Sequence, residues 1–190
     1  MGRIVISTNA TLDGISQDPT GEEGFEFGGW FTRIPDADRE AWAKVEFEEA
    51  LNTAALLVGG RSYEWFAQRW VGRPGDWAAA LDRIPKYVVR STAGRTDWGP
   101  TTVLTGDIAA EIAGLRQRVD GDVVVYASYQ LVRTIAEHNL IDEVRLIVFP
   151  HIVGSGERVF SDLTIPRALR LSGVATVGEG LVQLTYERSA

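Results

Sequence analysis

Ala54-Ala55-Leu56-Leu57-Val58-Gly59-Gly60-Arg61-Ser62-Tyr63-Glu64 is the stretch whose reading decides the fold. An apolar run stops at two glycines, and helix-forming polar residues follow. Leu56, Leu57 and Val58 suit a strand covered on both faces. Gly59 and Gly60 permit φ > 0 and close backbone approach, and Ser62 can cap the helix that comes next. The backbone N–H groups at such a helix start favour an anion. Many α/β proteins make this turn for packing alone, so the weight comes from a second stretch of the same kind, Asp122–Val132, which reads Asp-Val-Val-Val-Tyr-Ala-Ser-Tyr-Gln-Leu-Val. Two strand-to-helix anion sites imply one nucleotide lying across a sheet.

Working outward, 190 residues suit a single domain spanning 1–190. Apolar residues at 45% and charged residues at 24% are close to globular averages, which excludes disordered, collagenous and coiled-coil chains. A net charge of −7 argues against nucleic-acid and anionic-membrane partners, so any phosphate must be held locally. The chain has no cysteine, which excludes disulfides and thiolate chemistry and suits a reducing cytoplasm. No apolar run approaches the roughly 18 residues of a membrane span. Residues 3–7 read directly as a strand, with no pattern of a secretory signal ahead of them.

Along the chain, a first strand over residues 3–9 ends in the turn Leu12-Asp13-Gly14-Ile15-Ser16. Gln17 to Pro35 is long, glycine-rich and aromatic, and reads as a flap over a ligand or over a satellite core. Asp36 can cap a helix to about Asn52 whose apolar face is Ala43, Phe47, Ala50 and Leu51. The helix from Ser62 leads through a loop to a strand, Lys86–Arg90. There Arg90, Ser91 and Thr92 form a third polar strand end, suited either to a nucleotide or to a plain surface turn. After the strand Thr101–Leu104, Asp107 caps a further helix, and Ser128 caps another that ends near Asn139. Beyond Asp142 helical periodicity is lost, and Val144–Val153, Leu169–Val177 and Gly180–Glu187 read as strands in series with hairpin-like reversals. The expectation is an α/β fold: a mixed, mostly parallel central sheet with helices on both faces and a C-terminal antiparallel run.

Several chemistries lack their motifs. His138 and His151 are the only histidines and have no metal-ligand spacing, so no metal is expected. The serine-hydrolase elbow, the phosphate-binding Gly-x-x-x-x-Gly-Lys loop and Gly-x-Gly-x-x-Gly after the first strand are all missing. What remains suits a protein that orients a cofactor carrying the reaction.

Taken together, these residues resemble the dihydrofolate-reductase-like family, and within it the branch similar to the C-terminal reductase domain of the bifunctional riboflavin-biosynthesis deaminase/reductase. The matching motifs are Ser7 through Leu12-Asp13-Gly14, Leu57 through Glu64, Pro85-Lys86-Tyr87-Val88-Val89, Val124-Val125-Tyr126-Ala127-Ser128 and Asp142-Glu143-Val144-Arg145-Leu146. Pro150, Val153-Gly154-Ser155-Gly156, Arg158 and Phe160 resemble that branch's closing segment. The resemblance implies an NADPH-dependent reductase, with NADH as the other possible cofactor. It also implies a homodimer acting on a pteridine, pyrimidine or related heterocycle.

By position, the resemblance places Gly59, Gly60, Arg61 and Ser62 at the cofactor's pyrophosphate and 2′-phosphate, and Arg90, Ser91 and Thr92 at its adenosine end. Tyr126, Ala127, Ser128, Gln130 and Leu131 fall on the pyrophosphate and nicotinamide side. Asp13, Gly14 and Ile15 fall beside the nicotinamide, with Asp13 either helping to place the proton or only shaping its turn. Trp30, Phe47, Phe149 and Pro150 are expected to line the substrate site. Three positions depart from the family pattern. Arg61 follows a double glycine where Gly-Arg is usual, and Ala127 stands in place of a glycine. With Phe47 as the substrate-packing phenylalanine, the helix carboxylate falls at Ala43, which implies that dihydrofolate itself is not reduced. A rival from another class is a nucleotide- or pterin-binding protein of the same fold without turnover.

Overall fold

The computed structural model of the chain describes residues 1–189. Its strands are β1 (Arg3–Thr11), β2 (Thr53–Gly59), β3 (Lys86–Val89), β4 (Thr101–Leu104), β5 (Asp122–Tyr126), β6 (Glu143–Phe149), β7 (Leu169–Val177) and β8 (Leu181–Arg188). Its helices are α1 (Asp36–Asn52), α2 (Gly60–Trp70), α3 (Asp76–Arg83), α4 (Ile108–Arg118) and α5 (Tyr129–Glu137), with a single 3-10 turn at Trp30–Arg33.

The strands form one sheet in the order β4-β3-β2-β5-β1-β6-β8-β7. The first six run parallel, and β8 and β7 add antiparallel, as the sequence pattern implies. The central strands carry apolar residues on both faces because both faces are covered. Ile4, Ile6, Leu57 and Val125 pack under α4 and α5, while Val5, Leu56, Val58 and Val124 pack under α1, α2 and α3. A smaller cluster of Trp30, Ile34, Phe149, Val177 and Leu181 closes the β6–β8 side.

Local readings differ from the structure at identifiable points. β7 and β8 form a hairpin, but β6 and β7 are not neighbours, since β8 lies between them, and β6 stops at Phe149, one residue before Pro150, which lacks the N–H a ladder needs. Helix α1 begins at Asp36 itself, with Pro35 at the cap position and no side-chain cap bond. Its expected apolar face is also misplaced, because Leu51 is 56% exposed. Asp107 does cap α4, accepting the Ala110 N–H at 3.1 Å.

The β7–β8 turn is pinned to α1 by Asp38, a buried carboxylate whose Oδ1 accepts the backbone N–H groups of Glu179 at 2.6 Å and Gly180 at 3.2 Å. Asp38→Ala removes these charge-assisted bonds between α1 and an exposed turn, so it is expected to cost about 1.5–2 kcal/mol. A urea titration reads this as a lower midpoint at unchanged slope.

Candidate active site

Two adjoining cavities open at the carboxyl ends of the parallel strands, where open α/β sheets place their ligands. The first, of about 540 Å³, lies between the ends of β2, β3 and β5 and the starts of α2 and α5. Its walls include Gly59, Gly60, Arg61, Ser62, Arg90, Ser91, Thr92, Ser128, Gln130 and Leu131. Residues predicted from three separate strand ends are thus brought together. Tyr126 and Ala127, predicted with them, line the second cavity, of about 600 Å³, which shares Arg61, Ser62, Ser128 and Tyr129 with the first.

The turns at this junction are built differently from the sequence expectation. Neither Gly59 nor Gly60 has positive φ. Gly60 is required instead by close approach, since a Cβ there would lie 3.0 Å from Arg90 Cβ. Helix α2 starts at Gly60, with Gly59 at the cap position and no side-chain cap bond, so Ser62 does not cap it and sits in the first turn. Ala127 and Ser128 are the left-handed pair, at φ 49° and 64°. Ser128 occupies the cap position of α5 without a side-chain cap bond. Its hydroxyl accepts the Gly59 N–H at 2.9 Å and donates to the Tyr126 carbonyl at 3.0 Å, tying the ends of β2 and β5 together. The first-turn N–H groups of both α2 and α5 have no intrahelical acceptor and meet at the same cavity.

The two arginines here have different employment. Arg90 is largely buried and fully engaged, donating to Glu64 at 3.3 Å and to the Gly94 and Arg95 carbonyls at 3.0 and 2.8 Å. It therefore organises its own loop. Arg61 is exposed, lines both cavities and has no salt-bridge partner among the described residues. Two converging helix starts with one free guanidinium fit the pyrophosphate and phosphate of a nicotinamide dinucleotide.

The second cavity is lined by many aromatic side chains, among them Phe31, Trp42, Trp65, Phe66, Trp77 and Trp98. Neither the four residues expected to line the substrate site, Trp30, Phe47, Phe149 and Pro150, nor Gly14 and Ile15, expected beside the nicotinamide and substrate, border either cavity. Trp30 and Phe149 are buried against each other edge-to-face at 5.1 Å, and Phe31 stands in front of them. Ile15 is fully buried, Gly14 sits in its turn at φ 82°, and Pro150 is exposed. Phe47 is one helical step out of register, because α1 presents Trp42 and, one turn later, Glu46 to the cavity.

Glu46 is the functional candidate that motif reading missed. Half-buried in the cavity wall, its carboxyl has no hydrogen-bond partner among the described residues. Burial, reinforced by neighbouring Glu49, raises its pKa well above the ordinary carboxylate range. The neighbouring groups are firmly paired. Glu49 accepts the Tyr126 hydroxyl at 3.0 Å and the Arg145 guanidinium at 2.9 Å, and Arg145 also binds Asp122 at 2.6 Å and Glu143 at 2.5 Å. Burial also holds the Tyr126 hydroxyl well above the usual phenol range, so it stays a donor.

Asp13, expected beside the nicotinamide, lies outside both cavities. Its carboxylate accepts the Thr11 hydroxyl at 2.6 Å and the backbone N–H groups of Val153 at 3.2 Å and Gly154 at 2.7 Å. Led by the Thr11 bond, these contacts lower its pKa to about 2, the wrong direction for a proton donor at neutral pH. It is a turn residue, and Asp13→Asn is expected to leave turnover within about twofold while lowering the unfolding midpoint.

The Gln17–Pro35 segment is a built loop. Asp18 anchors it, its buried carboxylate accepting the Glu23 and Phe25 N–H groups at 3.1 Å each. Pro19, Thr20 and Glu23 face the second cavity, and Glu22 pairs with Arg69 of α2. The aromatic residues Phe25 and Phe27 meet edge-to-face at 5.7 Å and line neither cavity.

The fold is dihydrofolate-reductase-like. A solved dihydrofolate reductase from Enterococcus faecalis, complexed with NADP(H), superposes with TM-score 0.58 at 14% identity over 99% of this chain and 97% of that one. A model of the RibD C-terminal domain matches residues 3–183, and the chain belongs to that family. A candidate riboflavin-biosynthesis protein from Shewanella sp. PV-4 shares the fold at TM-score 0.75 and 19% identity, over 99% of each chain. The Bacillus subtilis (strain 168) protein YyaP is 25% identical over 192 residues, covering 97% of this chain and 94% of its own length.

Proposed function

We propose that the protein is an NADPH-dependent reductase acting on a small heterocycle, a pteridine, pyrimidine or related ring, with Glu46 as the proton donor. The observation that carries this reading is the position of the Glu46 carboxyl, without a hydrogen-bond partner among the described residues and with its pKa raised by burial, in the wall of an aromatic-lined cavity that adjoins the one at the starts of α2 and α5. When bound, the reduced nicotinamide supplies a hydride to the carbon of a C=N bond. Gly60, Arg61 and Ser62 at the start of α2, with Gln130 and Leu131 at the start of α5, hold the phosphates. Ser128 keeps the two strand ends at a fixed spacing, and Trp42 and Phe31 offer faces on which a flat ring can stack. Glu46 passes its proton to the nitrogen of the same bond and regains one from water.

The rival reading, binding without turnover, rested on Ala127 and on a missing helix acid. Glu46 supplies an acid on that helix. NADPH oxidation measured against a panel of oxidised pteridines and aminopyrimidines separates the two, since saturable NADPH binding with no oxidation by any of them supports the rival. A homodimer is the assembly the family resemblance supports, and sedimentation equilibrium checks it. Among the described residues no helix is long and apolar enough to cross a membrane, and a cytoplasmic location suits a chain without cysteine.

A further inference from the structure

On the side of the sheet that α4 and α5 cover, the cover stops short of β8 and β7. Paired residues of neighbouring strands share a face, so the register shows what is left open. Leu146 pairs with Leu184 and Leu184 with Val174, while Val182 pairs with Thr176 and Tyr186 with Leu171. Leu146 and Tyr186 still pack partly against the α4–α5 cluster, but Leu171, Val174 and Val182 are 48%, 62% and 38% exposed. The opposite face is occupied, with Val177 and Leu181 buried beside Trp30. Leu171 and Val174 are three residues apart and would face opposite sides of a regular strand. A register shift between Leu171 and Gly173 brings both to the same side. The bulge therefore builds the apolar panel instead of interrupting it.

We propose that this panel on β8 and β7 is the surface through which two copies of the chain associate, sheet face against sheet face. Charge is the first reason that the occupant is a second copy. The paired residues of the panel carry no charge, and with a net charge of −7 on each molecule a neutral patch is where two copies meet at least electrostatic cost. A partner selected by charge complementarity would find nothing to read there. Shape is the second reason. An exposed antiparallel face packs on a like face about 10 Å away with side chains interdigitated, and a two-fold axis lying between the two panels matches the surface to itself. Size is the third. Three strands and three rows of side chains span about 14 Å by 20 Å, an apolar footprint of about 300 Å². With a polar rim, that is the apolar centre of an interface of about 800 Å² per partner. The proposal stands apart from the reaction assigned to the two cavities.

The test needs neither cofactor nor substrate. Sedimentation equilibrium is expected to give twice the 20.9 kDa chain mass for the wild type and the single-chain mass for Val174→Arg at the same concentration. Val174 is exposed in the single chain, so water solvates the arginine and the fold is expected to survive, which thermal melting checks. Val103→Arg is the control, because Val103 is exposed on β4 at the other end of the eight-stranded sheet, and this variant should remain a dimer. A second measurement decides if Val174→Arg does not fold. The chain has no cysteine, so a single nitroxide label can be placed through Ser172→Cys on β7 or Val103→Cys on β4. Dipolar spectroscopy should find the two labels of a dimer closer together at 172 than at 103, since β7 and β4 are the opposite edges of the sheet. A wild type that sediments as one chain, a dimer that persists in Val174→Arg, or labels closer at 103 than at 172 overturns the proposal. The first of these outcomes would leave the panel to a partner of another kind.

Discussion

Glu46→Gln is expected to lower kcat by about 10²–10⁴-fold, the range that a positioned general acid contributes, with NADPH affinity unchanged. Glutamine keeps the size and polarity of the side chain but has no acidic proton to give. Because Glu46 lines the second cavity and not the first, its loss does not disturb the cradle at the starts of α2 and α5. The same residue sets a pH dependence of stability. A carboxyl whose folded-state pKa is raised above its unfolded value contributes stability below the unfolded value, and loses it as pH rises through the folded one. Thermal stability of the wild type should therefore decline as pH climbs out of the ordinary carboxylate range, and Glu46→Gln should remove that decline. A profile of unchanged slope in Glu46→Gln would mean that the carboxyl is already ionised and cannot be the donor.

The second large effect is expected at Arg61. Arg90 is committed to Glu64 and to two loop carbonyls, which leaves Arg61 as the guanidinium free to meet a phosphate in the first cavity. A charge-assisted contact contributes about 1.5–3 kcal/mol. Arg61→Gln should accordingly weaken NADPH roughly 10–100-fold while changing NADH much less, because NADH lacks the 2′-phosphate. Equal losses for the two nucleotides would place Arg61 at the shared pyrophosphate, and no loss for either would remove it from the cofactor site.

The parts of the site that were legible in the sequence share a physical reason. Glycine pairs, small residues and hydroxyls at strand ends are local signals, set by what a strand-to-helix turn tolerates. Gly59 to Ser62, Arg90 to Thr92 and Tyr126 to Leu131 could therefore be marked as strand ends on one rim of the sheet, and they line the two adjoining cavities. The chain order of the strands was legible for the same reason, since apolar runs bounded by turn residues mark buried strands without reference to partners, whereas α3 falls where the sequence reads as a connecting loop.

The substrate side was not legible, because its walls are drawn from α1, α2, α3 and the loop before α1, whose meeting depends on the tertiary fold. On α1 three glutamates, at 46, 48 and 49, sit within one turn, and only the register of the helix against β5 and β6 separates a cavity acid from a solvated one and from an ion-paired one. Reading Phe47 as the ring on the cavity side shifted that register by one position and put alanine where an acid was sought. An aromatic residue four positions before an acid, Trp42 and Glu46, is the local signal that points to the correct face. Asp13 shows the opposite case: its neighbour Gly14 marked a turn, and the structure makes it part of that turn.

The central claim, that a nicotinamide nucleotide bridges the two cavities, is tested most directly by titrating the wild-type protein with NADPH while exciting tryptophan. Trp65 and Trp98 line the second cavity, beyond the Ser128 junction where the reduced ring is to enter. Saturable quenching of tryptophan emission, accompanied by sensitised nicotinamide emission and shifted to higher NADPH concentration in Arg61→Gln, is the predicted result. Tryptophan emission that shows no saturable response to NADPH would contradict the account.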